Sequence, residues 1–522
     1  MPDRRLNRVR IGLACGLVLG GLANCLAVEP STTAGYTSLI DSALAEAWSE
    51  AGVTPTPPAD DATFLRRASL DLVGRVPTAA EARRFLHDED GGKRARAIER
   101  LIASGAHARH MATFWRRSWM PQADTAEFSR LSDDFERWVT VRLQSRTPYD
   151  KLIRELLTIA LDTGAPAAFS GRQSVSPVGF YAASEGRVEN LAASATRGFL
   201  GVNLDCAQCH DHPSSRWTRD QFWKTAAFFA DPRSDADGVP LRPAVLIPDT
   251  TREVSAELID GTTLQWPHRI EPATGRGLLA EWVTARTNPY FARNAVNRIW
   301  AHLFGRGLVE PLDDLSSATS NTGFHAELLA AIADRFVRSD YDLDLLVRGL
   351  ASTRLYQSSA PGVDFPTADP ALFASMPVRG LTGEQLYDSL RTAAGLPLER
   401  DDIGRGQGLE DRKRFAARFR VLRPGAAERS ITQSLAMMNG PLTAELTDPD
   451  TNATVAAVAG SPFMDPHARV EALFLATLGR EPTADQVARI LEFTSSRSVD
   501  VPCAYADVFW ALVNSSEFNT NH

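Results

Sequence analysis

Residues 288–305 read NPYFARNAVNRIWAHLFG. Val296, Ile299, Trp300, Leu303 and Phe304 recur at i, i+3, i+4, i+7 and i+8, the spacing that lines one face of an α-helix. Asn288 offers an N-cap with Pro289 at the first helical position, and Gly305 offers the stop. The opposite face carries Arg293, Asn294, Asn297 and Arg298, with Asp313 and Asp314 a short way downstream. Such a stripe can line a pocket, but a satisfied network of ion pairs is the expected reading.

The helical period dominates the rest of the chain. It predicts helices over 36–48, 149–161, 325–337, 343–355, 382–394, 430–439, 466–478, 483–493 and 505–514, and aromatic-rich helical segments over 95–160. Gly74-Arg-Val-Pro-Thr78 leads into a Thr78/Glu81 capping box, and Gly479-Arg-Glu-Pro-Thr483 leads into a near copy with Thr483 and Gln486. Both read as helix–turn–helix junctions. Between 231 and 275 the texture changes to Pro, Gly and short apolar or alternating runs at 244–247, 253–259 and 262–266, read as strands and turns. The expected fold is mainly α and multi-helical. Two helical domains, 36–230 and 276–522, flank a small β-containing insert at 231–275.

At 522 residues, 44% hydrophobic and 23% charged, the chain has ample material for a folded body of several packed units. Its first segment differs: MPDRRLNRVR carries four arginines, IGLACGLVLGGLA is apolar, and Cys25-Leu-Ala27 ends it in small residues. This is the pattern of a signal peptide over 1–27 and predicts export to the periplasm, the cell surface or beyond. Its removal takes four Arg and one Asp and moves the net charge from −8 to −11, which disfavours nucleic acid as a partner. No later stretch is apolar enough for a stable membrane span. Of five cysteines only Cys206, Cys209 and Cys503 would remain, too few for a disulfide framework.

Two of those three fall in CAQCHDHPSSRW, residues 206–217. Three readings fit. In the first, Cys206 and Cys209 attach haem c covalently and His210 ligates its iron; the next methionine, Met376, is far off, so any sixth ligand is distant. In the second, Cys206, Cys209, His210 and His212 bind zinc or another transition metal, helped by Asp205 or Asp211, or by His302 or His325 from elsewhere. In the third, the cysteines form a disulfide or a buried thiol pair holding a turn. No nucleophile elbow, Walker loop, dinucleotide fingerprint or HExxH helix occurs, and the loops Gly305-Arg-Gly307 and Gly404–Gly408 read as turns.

Longer motifs carry a resemblance over nearly the whole chain after residue 27. RRASLDL at 66–72 with Pro77-Thr78, then CAQCHDH at 206–212, resemble the first of two linked domains of unknown function found in large exported proteins of planctomycetes and their relatives. That domain is sometimes labelled cytochrome-C-like. NPYFARNAVNRIW at 288–300, FGRGLV at 304–309 and LVNSSEF at 512–518 resemble its C-terminal companion. The resemblance implies an exported protein, often made alongside a sulfatase-like exported partner. Many relatives continue the cysteine motif with Lys-Phe-Asp-Pro; here Pro213-Ser-Ser-Arg216 stands instead, so nothing attached to those four residues carries over. Taken together, these readings predict an exported haem- or metal-binding protein with a part in electron transfer. A non-enzymatic scaffold for a partner protein or polysaccharide, and a metal-dependent hydrolase, are the alternatives.

Overall fold

The computed structural model describes residues 32–124, 129–160, 175–213, 215–234, 237, 239, 241–271, 273–316, 323–362, 369–398, 407–419, 430–496 and 500–522. The segment 1–27 and the loop around Gly404 lie outside the described residues. The fold is mainly α, with two small two-stranded sheets among the described residues. The periodic segments are helices close to their expected bounds, for instance Thr33–Ala51, Phe324–Arg338, Gly383–Ala393 and Pro466–Thr477. Helix Phe291–Phe304 begins later than expected, with Pro289 outside it. The N-cap is Tyr290, not the expected Asn288, whose Oδ1 closes the turn before the helix by accepting from the Tyr290 and Phe291 amides at 2.9 and 3.1 Å.

In the insert, Ala244–Leu246 pairs antiparallel with Glu253–Ser255. The run 262–266, expected as a third strand, pairs with nothing in the two sheets; Trp266 instead lies flat over Phe228, ring centroids 6.3 Å apart. The second sheet has no signature in the sequence: Arg379–Gly380 pairs with Thr520–Asn521.

Apolar side chains form two cores. The larger runs from Tyr36 through the insert to Met376, and the smaller gathers residues of 381–518 with Leu70 and Val76. Helix Asp61–Val73 lies between them, giving Phe64, Leu65, Ala68 and Leu72 to the first and Leu70 to the second. Every residue from Phe64 to Val73 is buried, charged ones included: Arg66 is 2%, Arg67 1% and Asp71 1% exposed. Buried charges need partners. Arg66 finds backbone carbonyls, donating to Thr477 and Thr520 at 3.3 Å, Glu517 at 2.9 Å and Phe518 at 2.7 Å. Thr477 ends the Pro466–Thr477 helix, and Glu517 and Phe518 lie in the last turn, Ser516–Asn519. Carbonyls at helix C-termini carry partial negative charge and lack intrahelical donors, so the guanidinium and the helix ends satisfy each other. Arg67 does the same for Tyr356, Ser358 and His522. Asp71 accepts from both the Arg379 guanidinium, at 2.9 and 3.0 Å, and from Asn521 Nδ2 and Tyr356 Oη at 2.8 and 3.0 Å. The RRASLDL motif is thus a polar clasp that closes the C-terminal segment onto the centre of the molecule.

Ionic contacts also tie the cores together. Arg117 pairs with Glu384 at 2.5 Å and Lys413 with Asp133 at 2.5 Å; within the smaller unit Arg412 meets both Asp388 oxygens at 2.7 Å. Burial alone would raise the Glu384 carboxyl, but Arg117, Arg412 and Arg116 outweigh it and hold it at about 2.

The repeated Gly-Arg-x-Pro-Thr junctions are built alike. Gly74 and Gly479 both take the left-handed conformation, φ 76° and 72°. Glu81 and Gln486 each reach back to the amide of the capping threonine, and Arg75 and Arg480 each donate to those same side chains. The two junctions also touch: a Cβ on Gly479 would lie 3.0 Å from Pro77.

Two histidines of the larger core are neutral by burial. His107 is pushed down to about 4, and His302, whose Nε2 donates to the Asp71 carbonyl at 2.9 Å, is also lowered. An imidazole depressed in the folded state leaves stability intact above its unfolded pKa of about 6.5 and withdraws it as pH falls toward the folded value. His107 alone predicts a loss of about 2 kcal/mol between pH 7 and pH 5, above the range where carboxylates titrate. Urea midpoints at the two pH values measure it. His107→Gln should make the dependence shallower, and an unchanged slope would refute the assignment.

Candidate functional site

The polar stripe of helix Phe291–Phe304 faces inward. Asn294 and Asn297 are fully buried and Arg298 is 6% exposed. Asn297 mimics a strand partner for Val309, donating to its carbonyl at 2.7 Å and accepting from its amide at 3.1 Å. Asn294 donates to the Gly198 carbonyl at 2.7 Å; Arg298 donates to the Arg197 carbonyl, Asn294 Oδ1 and Asp313 at 2.9, 3.0 and 2.7 Å. Asn294, Asn297 and Arg298 thus form a satisfied network, built mainly on backbone groups with Arg298–Asp313 as its ion pair, where a network of ion pairs was expected.

Two of its acceptors, the Arg197 and Gly198 carbonyls, come from a π-turn, Thr196–Leu200, that follows helix Val188–Ala195. The wider turn leaves the Arg197 and Gly198 carbonyls free for side-chain donors. Gly201 ends it at φ 62°, where an added Cβ would lie 2.9 Å from Asn294 Oδ1, so glycine is required twice over. Its carbonyl accepts from Leu315 N at 2.7 Å. Five residues on, at Cys206, the CAQCH sequence begins.

Asp205–Gln208 forms one 3-10 turn. Leu204 and Ala207 are buried beneath it, Arg197 Nη1 meets Asp205 Oδ2 at 2.7 Å, and Trp223 Nε1 donates to the Gln208 carbonyl at 3.0 Å. Beyond the turn the Asp211 carboxylate accepts from Arg219 N at 2.8 Å, the start of helix Arg219–Ala226. The His212 amide donates to Trp217 O at 2.8 Å, and Trp217 is anchored by its indole to Ser316 at 2.9 Å. A firmly mounted base therefore displays Cys206, Cys209 and His210 on the surface. Both cysteines are free and exposed, so they are not the buried pair of the third reading. His210 Nδ1 is 2.7 Å from the Asp211 carbonyl. A carbonyl only accepts, so Nδ1 carries the proton, the arrangement that leaves Nε2 as the ring's possible ligand atom.

The remaining candidates are elsewhere. His302 is bound to Asp71 in the core and His325 to the Ala371 carbonyl at 2.8 Å, so neither joins the cysteines. Among the described residues, no three His, Cys, Asp or Glu side chains are grouped to hold a metal ion. Two accessible thiols and an imidazole whose Nδ1 is engaged by a carbonyl are the residue types that covalent haem attachment draws on.

Residues 39–234 match PSCyt2, a protein of unknown function (DUF1549), and residues 275–414 match PSD1, a protein of unknown function (DUF1553). The chain belongs to the family that links these two domains in that order. No curated protein and no solved structure matches it. The signatures of this tandem family meet in space: Asn294 and Arg298 of the second domain hold the π-turn that leads into the CAQCH turn of the first. In the clasp, Asp71 of the first domain holds Arg379 of the second. Helical periodicity missed this clasp because it assigns charges to the solvent side. The one available signal was the pair Arg66-Arg67 inside FLRRASLDLV, where apolar residues leave no single face on which both can be exposed.

Proposed function

We propose that the Cys206–His210 turn carries a covalently attached haem and that this exported protein takes part in electron transfer. One observation supports it above the others: two free, exposed thiols three positions apart are followed directly in sequence by an exposed imidazole whose Nδ1 is engaged by a carbonyl. Attachment asks each thiol to add across a vinyl group. The S–H bond breaks, a C–S bond forms, and the hydrogen goes to the neighbouring carbon, so no external oxidant is needed. Haem, once bound, would supply a one-electron couple.

The chain's own residues do the positioning. Leu204, Ala207 and the Trp223 indole fix the turn on its base, and the Asp211 carbonyl fixes the tautomer and tilt of His210. Arg197 neutralises Asp205, the carboxylate adjacent to Cys206. The leading segment over 1–27 provides the compartment in which such attachment occurs.

The test is a visible spectrum of protein exported by a host with haem-maturation machinery. A Soret band that survives acid-acetone extraction, and disappears in Cys206→Ser/Cys209→Ser, is the expected result. In His210→Ala the colour should stay attached while the band positions shift. A colourless protein would overturn the proposal.

A further inference from the structure

A second polar cluster is distant in sequence from the cysteine turn and plays no part in the reading above. A cavity of about 280 Å³ opens between helices Gly105–Trp119, Ser129–Gln144 and Leu343–Ala351. Its lining is mixed: Met111, Leu143, Leu343 and Val347 stand among Ser104, Gln144 and Arg146, and one end holds His107 and Asp344.

Ser104 caps the Gly105–Trp119 helix and accepts from the His107 amide at 3.2 Å, setting that residue in the first turn. His107 Nδ1 lies 2.7 Å from the Leu72 carbonyl. Because the carbonyl can only accept, Nδ1 must carry the proton, and in the neutral ring Nε2 is a bare acceptor. Nε2 faces Asp344 Oδ1 at 4.0 Å, too far for a hydrogen bond and, with both atoms acceptors, of the wrong kind. Burial keeps the imidazole neutral at physiological pH and raises the Asp344 carboxyl; its other oxygen pairs loosely with Arg146, Nε at 3.6 Å on a side chain that is 72% exposed. The pair therefore lacks a donor that serves both atoms.

We infer that this cavity binds a small primary amine with an apolar body, its ammonium group donating to His107 Nε2 and Asp344 Oδ1 together. A nitrogen about 2.9 Å from each atom would see them at roughly a right angle, within reach of two N–H bonds. An alcohol has one O–H and satisfies one acceptor. An ammonium has three donors and a charge that matches Asp344, and the side chains of Met111, Leu343 and Val347 offer the apolar body a place to rest.

The experiment uses the full chain with benzylamine as the probe, followed by ligand-observed NMR titration, beside benzyl alcohol and toluene. Benzylamine should bind saturably and at least tenfold more tightly than benzyl alcohol. Asp344→Asn keeps the shape, removes the charge and should weaken benzylamine tenfold or more. Arg146→Gln removes the competing cation and should leave binding equal or tighter. Circular dichroism confirms that the variants fold, so a loss of binding reports on the site. Absence of saturable binding, equal binding of amine and alcohol, or undiminished binding by Asp344→Asn would each overturn the inference.

Discussion

Arg66→Met is expected to lower stability by about 3 kcal/mol, among the largest effects of any single substitution in this chain. Two terms oppose each other. Burial lowers the Arg66 guanidinium to about 10, so a neutral side chain of similar length relieves a desolvation cost. Against that, the carbonyls of Thr477, Glu517, Phe518 and Thr520 lose their shared donor in a site with little water. Each buried acceptor left unsatisfied costs about 1–3 kcal/mol, and several such losses exceed the relief. The damage should also be local first. Hydrogen exchange at 515–522 should accelerate before the urea midpoint of the whole chain moves, because the C-terminal strand Thr520–Asn521 depends on the clasp. A variant as stable as the parent, with unchanged exchange there, would mean that the helix ends are satisfied without the arginine.

Asn294→Leu is the second large effect. The side chain is fully buried, donates to Gly198 O and accepts from Arg298 Nε. Leucine is nearly isosteric, so no cavity accounts for the loss; what is lost is a donor to one buried carbonyl and an acceptor for one buried guanidinium. About 2–4 kcal/mol is expected. The consequence for function is more specific than the energy. The π-turn Thr196–Leu200 loses one of its two side-chain anchors, and amide exchange should rise from 197 through 209, reaching the cysteine turn. In Asn297→Leu, which instead frees Val309, exchange should rise around 309 and leave 197–209 protected. If the two variants loosen the same segment, the anchoring scheme is wrong.

The helices were legible because apolar residues at i, i+3, i+4 and i+7 have one way to be buried together. Thr78/Glu81 and Thr483/Gln486 marked their helix starts correctly because capping is local chemistry. The polar stripe of Asn294, Asn297 and Arg298 was legible as a network, yet its partners were not: the Gly198, Arg197 and Val309 carbonyls are backbone groups with no trace in composition. Pairing of Arg379–Gly380 with Thr520–Asn521 involves two residues per strand separated by most of a domain, and no alternation can announce it. Arg66 and Arg67 were hidden for a related reason. Their partners are backbone carbonyls brought in by tertiary packing, of helix ends for Arg66 and of turn and terminal residues for Arg67, and a local pattern treats a charge as a surface residue. At the cysteine turn the residue types were legible and their exposure was not. Leu204 and Ala207 give the turn its buried underside, and that decides that Cys206 and Cys209 look outward.

That outward display is the point on which the account rests. The most direct measurement is the intact mass of the exported chain, with peptide mapping across residues 197–219. The account predicts the mass of one haem added to a single peptide containing Cys206 and Cys209, absent after their conversion to serine. An unmodified peptide from a host that matures other c-type cytochromes would contradict it.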